Sequence, residues 1–193
     1  GVSWVGDVYK RQVFGRYISG ISGDYLFHSV PYYSMSEEDL ELEEFNKLGE
    51  QASQGCVRLA VSDAKWVYDN CPTGTNVSIY DDAENAGPLG KPDAIKITDF
   101  TNKWDPTDSN KKCPYAKATP IISGANDYTI KSGGEFYALA GVTAVDTCGN
   151  DITSNIEVFG NVVTTRKGKY KVTYSVTDVL KRTSSVTITV TVQ

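Results

Sequence analysis

The clearest hydrophobic pattern in the chain is a two-residue alternation in its last third. Apolar and polar residues alternate along residues 170–176 and again along residues 186–192, where valine and isoleucine alternate with threonine. Because successive side chains of a strand point to opposite faces, this period predicts strands with one buried face. The turn signals between the runs are Gly133-Gly134, Gly149-Asn150 and Lys167-Gly168. We therefore expect residues 118–193 to form a small antiparallel β-sandwich.

The first half of the chain has shorter apolar runs. Between residues 13 and 30 glycines break these runs, which predicts strand, turn and strand, and Pro31 places His28 near the end of a strand. A helix is predicted over residues 62–70, where a Ser-Asp pair precedes apolar positions on one face. The alternation of residues 76–80 predicts a strand that ends this region. The expected fold class is mainly β: a partial β-sandwich with short helices, followed by the C-terminal sandwich.

Residues 36–49 form an acidic segment with helix signals at both ends. A serine precedes acidic residues at its start, and a glycine stands at its end. Its apolar residues, Leu42, Phe45 and Leu48, recur every three positions. We expect a short helix here and leave two roles open: a solvated surface helix, or a lid that selects cationic or amidated substrate.

Composition excludes two classes of partner. The chain has 24 acidic and 19 basic residues, a net charge of −5 and no basic stripe, so nucleic acid is not expected as a partner. No apolar run approaches the ~20 residues of a membrane span. The aromatic fraction of 11%, together with the Thr/Val strands, predicts an exported, β-rich protein.

Residues 1–12 differ in character from the rest of the chain. The run Asp7-Val8-Tyr9-Lys10-Arg11-Gln12 back-translates to GATGTGTATAAGAGACAG, which looks like a transposase end used in sequencing libraries. We expect residues 1–12 to be an adaptor-derived artefact joined to a gene fragment, and we exclude them from fold reasoning. On this expectation, an export signal and the first strands of the following domain are missing.

Cys56 is the candidate nucleophile. A thiol with a pKa near ~8.5 needs a base or a positive field to become a thiolate at neutral pH. The chain contains 1 histidine, His28, so only that imidazole could be the base. Gly55 lacks a Cβ, so it can take a positive φ and leave the N–H groups of Gly55 and Cys56 facing an oxyanion. The alternative is an inert buried cysteine and a structural histidine.

Several neighbours of these two residues are candidates for substrate binding. The planar guanidinium of Arg58 suits a substrate carboxylate, and a structural salt bridge is an equally open role. Tyr32 and Tyr33 follow His28 and could wall a groove, although core packing is expected for at least one of them. Ser53 and Gln54, just before Gly55, are also expected to contact substrate.

Four blocks, in order, resemble the YkuD-type L,D-transpeptidases over about residues 14–116. They are Phe27-His28-Ser29, Ser53-Gln54-Gly55-Cys56-Val57-Arg58-Leu59, Ser62-Asp63-Ala64-Lys65-Trp66-Val67-Tyr68 and Gly74-Thr75-Asn76-Val77-Ser78-Ile79. The family motif has a histidine before its Gly-Cys pair, where this chain has Gln54, so His28 must carry every proton transfer. The gap between His28 and Ser53 is also longer than in the short form of the motif, and the acidic segment fills it.

The resemblance implies cysteine acyl transfer on peptidoglycan stem peptides in the bacterial cell wall, giving 3→3 cross-links without a metal or cofactor. Cys56 would be the nucleophile and His28 the base, and Ser29 would orient the imidazole through its backbone carbonyl. Carbapenem-type antibiotics would acylate the same cysteine. The alternative is a non-catalytic cell-wall-binding or spacer protein with a decayed catalytic domain, which the substitution at Gln54 favours.

The C-terminal sandwich resembles bacterial surface Ig-like domains. The motifs are Val142-Thr143-Ala144-Val145-Asp146, Asp151-Ile152-Thr153 and Gly168-Lys169-Tyr170-Lys171-Val172-Thr173-Tyr174. Such domains act as spacers or wall adhesives, so the expected location is extracellular, in the cell wall. After residues 1–12, the expected organisation is an N-terminally truncated L,D-transpeptidase catalytic domain (13–81), a C-terminal wrap and linker (82–117) and the Ig-like domain (118–193).

The 4 cysteines leave one pairing open. A catalytic Cys56 must stay free, which leaves an odd number. Cys71 and Cys113 could staple the wrap to the catalytic domain or stay reduced, and Cys148 would then be unpaired. There is no Cys-x-x-Cys spacing and only 1 histidine, so a zinc site is not expected.

Overall fold

The computed structural model describes residues 4–6, 14–80, 82, 84, 87 and 90–193. The chain divides into two compact units, the first ending at Ala116 and the second beginning at Lys117. The elements of the first unit are β1 (Trp4–Gly6), β2 (Phe14–Arg16), β3 (Ser19–Ser22), β4 (Tyr25–Ser29), α1 (Leu42–Phe45), β5 (Val57–Leu59) and α2 (Val61–Asn70). A short 3-10 helix, Pro114–Lys117, spans the boundary.

Short strands with few partners build the first unit. β4 pairs antiparallel with β3 and parallel with β5, while β2 pairs antiparallel with β1. Tyr32 extends the framework, because its backbone bridges both Phe14 and Leu40. Most of residues 1–12, the expected artefact, lie outside the described residues. The described part of that range, β1, pairs with β2.

The wrap that follows α2 in the chain supplies the cap for that helix. The side chain of Ala60, the N-cap residue, makes no capping hydrogen bond. Instead, Val61 N–H donates to the Asp105 carboxylate at 2.8 Å, and Ser62 N–H donates to Thr107 Oγ1 at 3.1 Å. A carboxylate at this position satisfies an unpaired N–H and interacts favourably with the helix dipole. Burial nonetheless raises the pKa of Asp105 to about 6.

Arg16 ties three segments of the first unit together. Its side chain is buried, with a relative exposure of 1% for the residue. The guanidinium lies 2.5 Å from Asp108 of the wrap and 3.1 Å from Glu37 of the acidic segment, and it donates to Tyr32 Oη at 3.4 Å. A buried cation is tolerated only when it is paired in this way.

Two elements differ from the sequence-based expectation. The helix predicted over residues 36–49 is limited to α1, because the backbone before it bonds elsewhere: Leu40 N–H donates to Lys103 O, and Glu41 N–H donates to Pro31 O. The strand predicted over residues 76–80 does not form, and Ile79 there is 73% exposed. Alternation alone does not make a strand where, in the described part of the chain, no neighbour pairs with it.

The second unit is built on one long hairpin. Its strands are β6 (Ile121–Ser123), β7 (Tyr128–Ile130), β8 (Thr143–Val145), β9 (Glu157–Phe159), β10 (Gly168–Thr177) and β11 (Thr183–Val192). One sheet has the order β7-β11-β10-β9, and β6 pairs with β8. The pairings are antiparallel as expected, except that β7 runs parallel to β11. A 3-10 helix spans Thr153–Asn155.

The predicted alternation is confirmed in β10 and β11. Their antiparallel register places Val172 opposite Ile188 and Tyr174 opposite Val186. The inner face packs into a continuous apolar core of Ile130, Val142, Ala144, Ile156, Val172, Tyr174, Val176, Ile188, Val190 and Val192. The outer face is hydroxylic, and Thr173 Oγ1 lies 2.8 Å from Thr187 Oγ1. The mainly β fold class is thus confirmed.

The thiols are all reduced. Cys71 and Cys113, the pair for which a disulfide was left open, are both free cysteines, and so are Cys56 and Cys148. Cys113 is buried, with its sulfur 3.7 Å from the backbone oxygen of Asp105. Burial is also the main cause that raises the pKa of Cys113 and that of Cys148, the latter to about 11, so neither suits a thiolate role.

Candidate active site

The pairing of β4 with β5 brings the histidine and cysteine regions together. In that parallel pair His28 stands opposite Arg58, and Cys56 immediately precedes β5. His28, Cys56 and Arg58 all line one cavity of about 630 Å³. The distant segments therefore meet beside a space large enough for a small-molecule or peptide ligand.

His28 is buried and held in one orientation. Its Nδ1 lies 2.6 Å from the backbone oxygen of Ser29, so we assign the ring proton to Nδ1 and leave Nε2 with a lone pair. Burial is the main cause that lowers the pKa of His28 below 6.5, and the nearby Arg58 charge lowers it further, while the Ser29 hydrogen bond opposes both. The imidazole is therefore neutral at neutral pH, as a general base must be.

Ser29 itself is part of the framework. Its Oγ accepts the Arg16 backbone N–H at 3.0 Å and donates to the Val30 oxygen at 2.8 Å, and the residue is fully buried. The carbonyl that holds the imidazole thus belongs to a residue fixed on both sides.

The loop before Cys56 is shaped by Ser53. Ser53 Oγ donates to the backbone oxygen of Cys56 at 2.5 Å and accepts the Gly55 N–H at 3.2 Å. Cys56 is half-buried, and its sulfur lies 3.9 Å from the backbone oxygen of Asp24. The thiol is therefore accessible from the cavity and partly covered by the turn that precedes β4.

Gly55 has to be glycine in this loop. Its φ is +139°, and a Cβ there would lie 2.3 Å from Cε1 of Tyr25. Both the backbone angle and the close aromatic ring exclude a side chain. The expectation that the Gly55 N–H faces an oxyanion differs from this arrangement, because that N–H donates to Ser53.

Arg58 already has a carboxylate partner. Its Nη1 forms a short ion pair with Glu44 of α1, and the other Glu44 oxygen lies 2.6 Å from Lys47 Nζ. The hydrogen bond from Lys47 is the main cause that lowers the pKa of Glu44, and Arg58 adds to it. Of the two roles left open for Arg58, the salt bridge is the one that the structure contains.

Of the other residues predicted to contact substrate, some line the cavity and others do not. Ser53 and Gln54 line the cavity. The expectation that Tyr32 contacts substrate is wrong, since Tyr32 is 0% exposed and packs in the core beside Arg16. Tyr33 is exposed, but it stacks under Lys103 and does not line the cavity.

Tyr25 and Glu44 are among the cavity residues that the sequence did not indicate as part of the site. Tyr25 covers Gly55, and Glu44 pairs with Arg58. Tyr25 lies in the run leading to His28, but nothing in that run distinguishes it from its neighbours. Glu44 is one acid among several in residues 36–49, and only the three-dimensional pairing with Arg58 sets it apart.

The geometry agrees with comparisons to known families. Residues 4–79 match the model of the L,D-transpeptidase catalytic domain, YkuD, and residues 120–192 match that of the bacterial surface protein Ig-like domain. The chain is therefore similar to a YkuD-type L,D-transpeptidase catalytic domain in its first segment and to a bacterial surface Ig-like domain in its second. The resemblance expected from the motifs is confirmed for both units.

A curated relative supports the first assignment. The chain is 49% identical over 57 residues to "Putative L,D-transpeptidase YciB" of Bacillus subtilis (strain 168). The match covers 30% of this chain and 28% of that relative, so the chain spans less than a third of the relative's length.

Solved structures give weaker likenesses. A structure of CBM51-2 with INT domains from Clostridium perfringens ZmpB, in complex with GlcNAc, matches 38% of this chain at 31% identity, covering 16% of that chain with a TM-score of 0.35. A lipoprotein from Bacteroides thetaiotaomicron matches 38% of this chain and 37% of its own at 22% identity, with a TM-score of 0.32. Scores of this size do not extend the family assignment.

No helix within the described ranges is long and apolar enough to cross a membrane. No group of three or more His, Cys, Asp or Glu side chains in that part of the chain is arranged to hold a metal ion.

Proposed function

We propose that the first unit is the acyl-transfer site of a peptidoglycan L,D-transpeptidase, with Cys56 as the nucleophile and His28 as the base. One observation carries the proposal: an accessible thiol and a neutral, oriented imidazole line the same cavity. The YkuD family match supports the reaction class, and the substrate would be the stem peptides of peptidoglycan.

The first half-reaction forms a thioester. Nε2 of His28 takes the proton of the Cys56 thiol, and the sulfur attacks the carbonyl that links the third residue of a tetrapeptide stem to its terminal D-alanine. The tetrahedral oxyanion needs N–H donors. Cys56 N–H is one candidate, and Gly55 N–H becomes the second if its bond to Ser53 opens. When the C–N bond breaks, His28 protonates the departing amine.

The second half-reaction releases the enzyme. An acceptor amine attacks the thioester carbonyl, His28 takes a proton from that amine, and the Cys56 sulfur leaves and regains a proton. A second stem as acceptor gives a 3→3 cross-link, and water would give hydrolysis. Comparing products with and without an added acceptor amine distinguishes these outcomes.

The second unit would position this chemistry at the wall. It contains a bacterial surface Ig-like domain, and the predicted role is a spacer or wall adhesive. The proposed location is therefore extracellular, in the cell wall, where peptidoglycan cross-linking contributes to cell shape.

The direct test is covalent labelling. Incubation of the chain with a carbapenem should add the mass of one inhibitor, and Cys56→Ala should abolish that adduct. The matched control is Cys71→Ala, which removes another half-buried thiol and should leave the adduct unchanged. His28→Ala should slow adduct formation by roughly 10²-fold or more, the usual worth of a general base. An adduct that persists in Cys56→Ala would exclude the proposal.

A second candidate function is non-catalytic wall binding. It is favoured by the two internal bonds of the site, Gly55 N–H to Ser53 and Arg58 to Glu44, which occupy groups that a substrate would use. In that case Cys56 should react with iodoacetamide no faster than a free cysteine in a short peptide, and His28→Ala should leave that rate unchanged. Faster alkylation at neutral pH that depends on His28 would rule it out.

A further inference from the structure

Glu44 occupies a fixed place beside the candidate catalytic residues. It lies in α1, whose Leu42 and Phe45 are buried on either side of it. The helix end is clamped as well, because Asn46 Nδ2 donates to the Ile97 oxygen at 2.8 Å and its Oδ1 accepts the Ile97 N–H at 2.7 Å. The helix that carries Glu44 is therefore anchored beside the cavity by contacts other than the ion pair.

The charged side chains that line the cavity are mostly acidic. Among the described lining residues they are Asp24, Glu44 and Arg58, and His28 there is neutral. Lys47 holds the second Glu44 oxygen without lining the cavity, and its side chain is about half-exposed. A ligand in the cavity thus meets the Glu44 carboxylate together with a guanidinium that is already paired, and Asp24 adds a second acidic residue to the lining.

We infer that Glu44 is a specificity residue, which makes the cavity favour donor stems whose group facing Arg58 is a carboxamide and disfavour a free carboxylate there. The inference rests on the proposed function, because it names the substrate class of the same site.

The reason lies in donor and acceptor matching. A carboxamide has one acceptor oxygen for the Arg58 guanidinium and two N–H donors for the Glu44 carboxylate, so it can join the ion pair without breaking it. A carboxylate offers acceptors only. It would face Glu44 at close range as a like charge, and it must displace Glu44 to reach Arg58.

The test uses two tetrapeptide donors that differ only in whether the side-chain carboxyl of the third residue is free or amidated. The measured quantity is the rate of Cys56 acylation by intact mass, expressed as the amide-to-carboxylate ratio. In the unmodified chain we expect a ratio of about fivefold or more, the effect of one partly exposed charge pair. Glu44→Gln should lower that ratio about fivefold or more, to one or below. Without the Glu44 charge, Arg58 can bind the carboxylate of the donor.

The control is Glu43→Gln, which removes the same charge from the same helix at an exposed position that does not line the cavity. It should keep the ratio of the unmodified chain. A thermal melt of each variant checks that the first unit is folded. If Glu44→Gln does not fold, the ratio measured in the unmodified chain still tests the inference. A ratio below one, which means faster acylation by the carboxylate donor, would overturn it.

The failures are distinguishable. If neither donor acylates Cys56 in the unmodified chain, the proposed function fails. If both donors acylate it but the ratio is the same in the unmodified chain and in Glu44→Gln, only the specificity role of Glu44 is lost, and the transpeptidase proposal stands.

Discussion

The two units of this chain are stabilised in different ways. The second unit has strands of up to 10 residues, and regular alternation along β10 and β11 fills one continuous apolar core. The first unit has strands of 3 to 5 residues, and its segments are tied together by polar side chains that reach across the sequence, as Arg16 reaches Asp108 and Asp105 reaches Val61.

The difference shows where chemistry can be placed. Along β10 and β11 the alternation places the hydroxylic side chains on the outer face, where they meet water. A framework of short strands and polar clamps holds partly buried polar groups at defined positions, such as His28 against the Ser29 carbonyl. The unit with the less regular pattern is therefore the one that contains the candidate site.

The strongest test of the clamp framework is Arg16→Ala. It leaves the carboxylate of Asp108 buried without its cation, so we expect the first unit to lose about 3–5 kcal/mol of stability. The readout is specific, because the 3 tryptophans of the chain, Trp4, Trp66 and Trp104, all precede the second unit. Urea melts followed by tryptophan fluorescence should shift to lower urea.

Arg166→Ala is the control for that prediction, since Arg166 is exposed in the second unit. It should leave the fluorescence melt unchanged. Hydrogen exchange at β10 and β11 amides should be the same in both variants, because the two units have separate cores. If Arg16→Ala lowered the hydrogen-exchange protection of β10 as much as it destabilises the first unit, the two units would unfold together.

The matching test of the apolar core is Val190→Ala. Val190 is fully buried in β11, and removing its two methyl groups should cost about 2 kcal/mol, measured as faster hydrogen exchange along β10 and β11. Val163→Ala, at a position that is 42% exposed, should change stability by about 0.5 kcal/mol or less. Equal effects at the two sites would contradict the assignment of the core.

Asp105→Ala should have a smaller effect on the first unit. It removes the acceptor for the first N–H of α2, which should cost about 1–2 kcal/mol in the tryptophan-detected melt. Part of this loss of stability is offset. Burial raises the pKa of Asp105 to about 6, so the folded chain bears the cost of a buried charge at neutral pH, and the variant removes that cost. Asp93→Ala, at an exposed position in the same segment, should have no measurable effect.

The two units also differ in how much of their structure the sequence predicts. The sandwich strands were predictable because their signal is local: period two over residues 170–176 implies a buried face whatever the partner strand is. The helix α2 was predictable from its periodicity, but its cap was not. Asp105 lies far along the chain, so no local pattern connects it to Val61.

The candidate site was predictable only in part. Cys56 and His28 could be proposed from their residue types, their motifs and the single histidine. Tyr32 was misplaced because nothing in the sequence shows which side of the strand end faces the core. The pair between Glu44 and Arg58 was missed because it joins α1 to β5, and no local pattern connects two residues 14 positions apart on different elements.

The smallest effect, and the one closest to the chemistry, is the titration of His28. Because the chain has 1 histidine, its imidazole resonances are unambiguous in an NMR titration. We expect a pKa below 6.5 in the folded chain, with burial as the main cause, and an ordinary value of about 6.5 in urea. A folded-state pKa at or above 6.5 would contradict the neutral base.

The lowered pKa of His28 determines how stability and acylation depend on pH. A depressed pKa means that the unfolded chain binds the proton more readily, so the contribution of His28 to stability is present above pH 6.5 and is lost as the pH falls through the folded pKa. Arg58→Gln should raise the pKa of His28 slightly and leave it below 6.5, because the Arg58 charge is the lesser of the two lowering causes. Arg166→Gln, in the other unit, should leave it unchanged. The acid limb of Cys56 acylation should follow the same pKa, which would tie the rate to the imidazole that the buried framework keeps neutral.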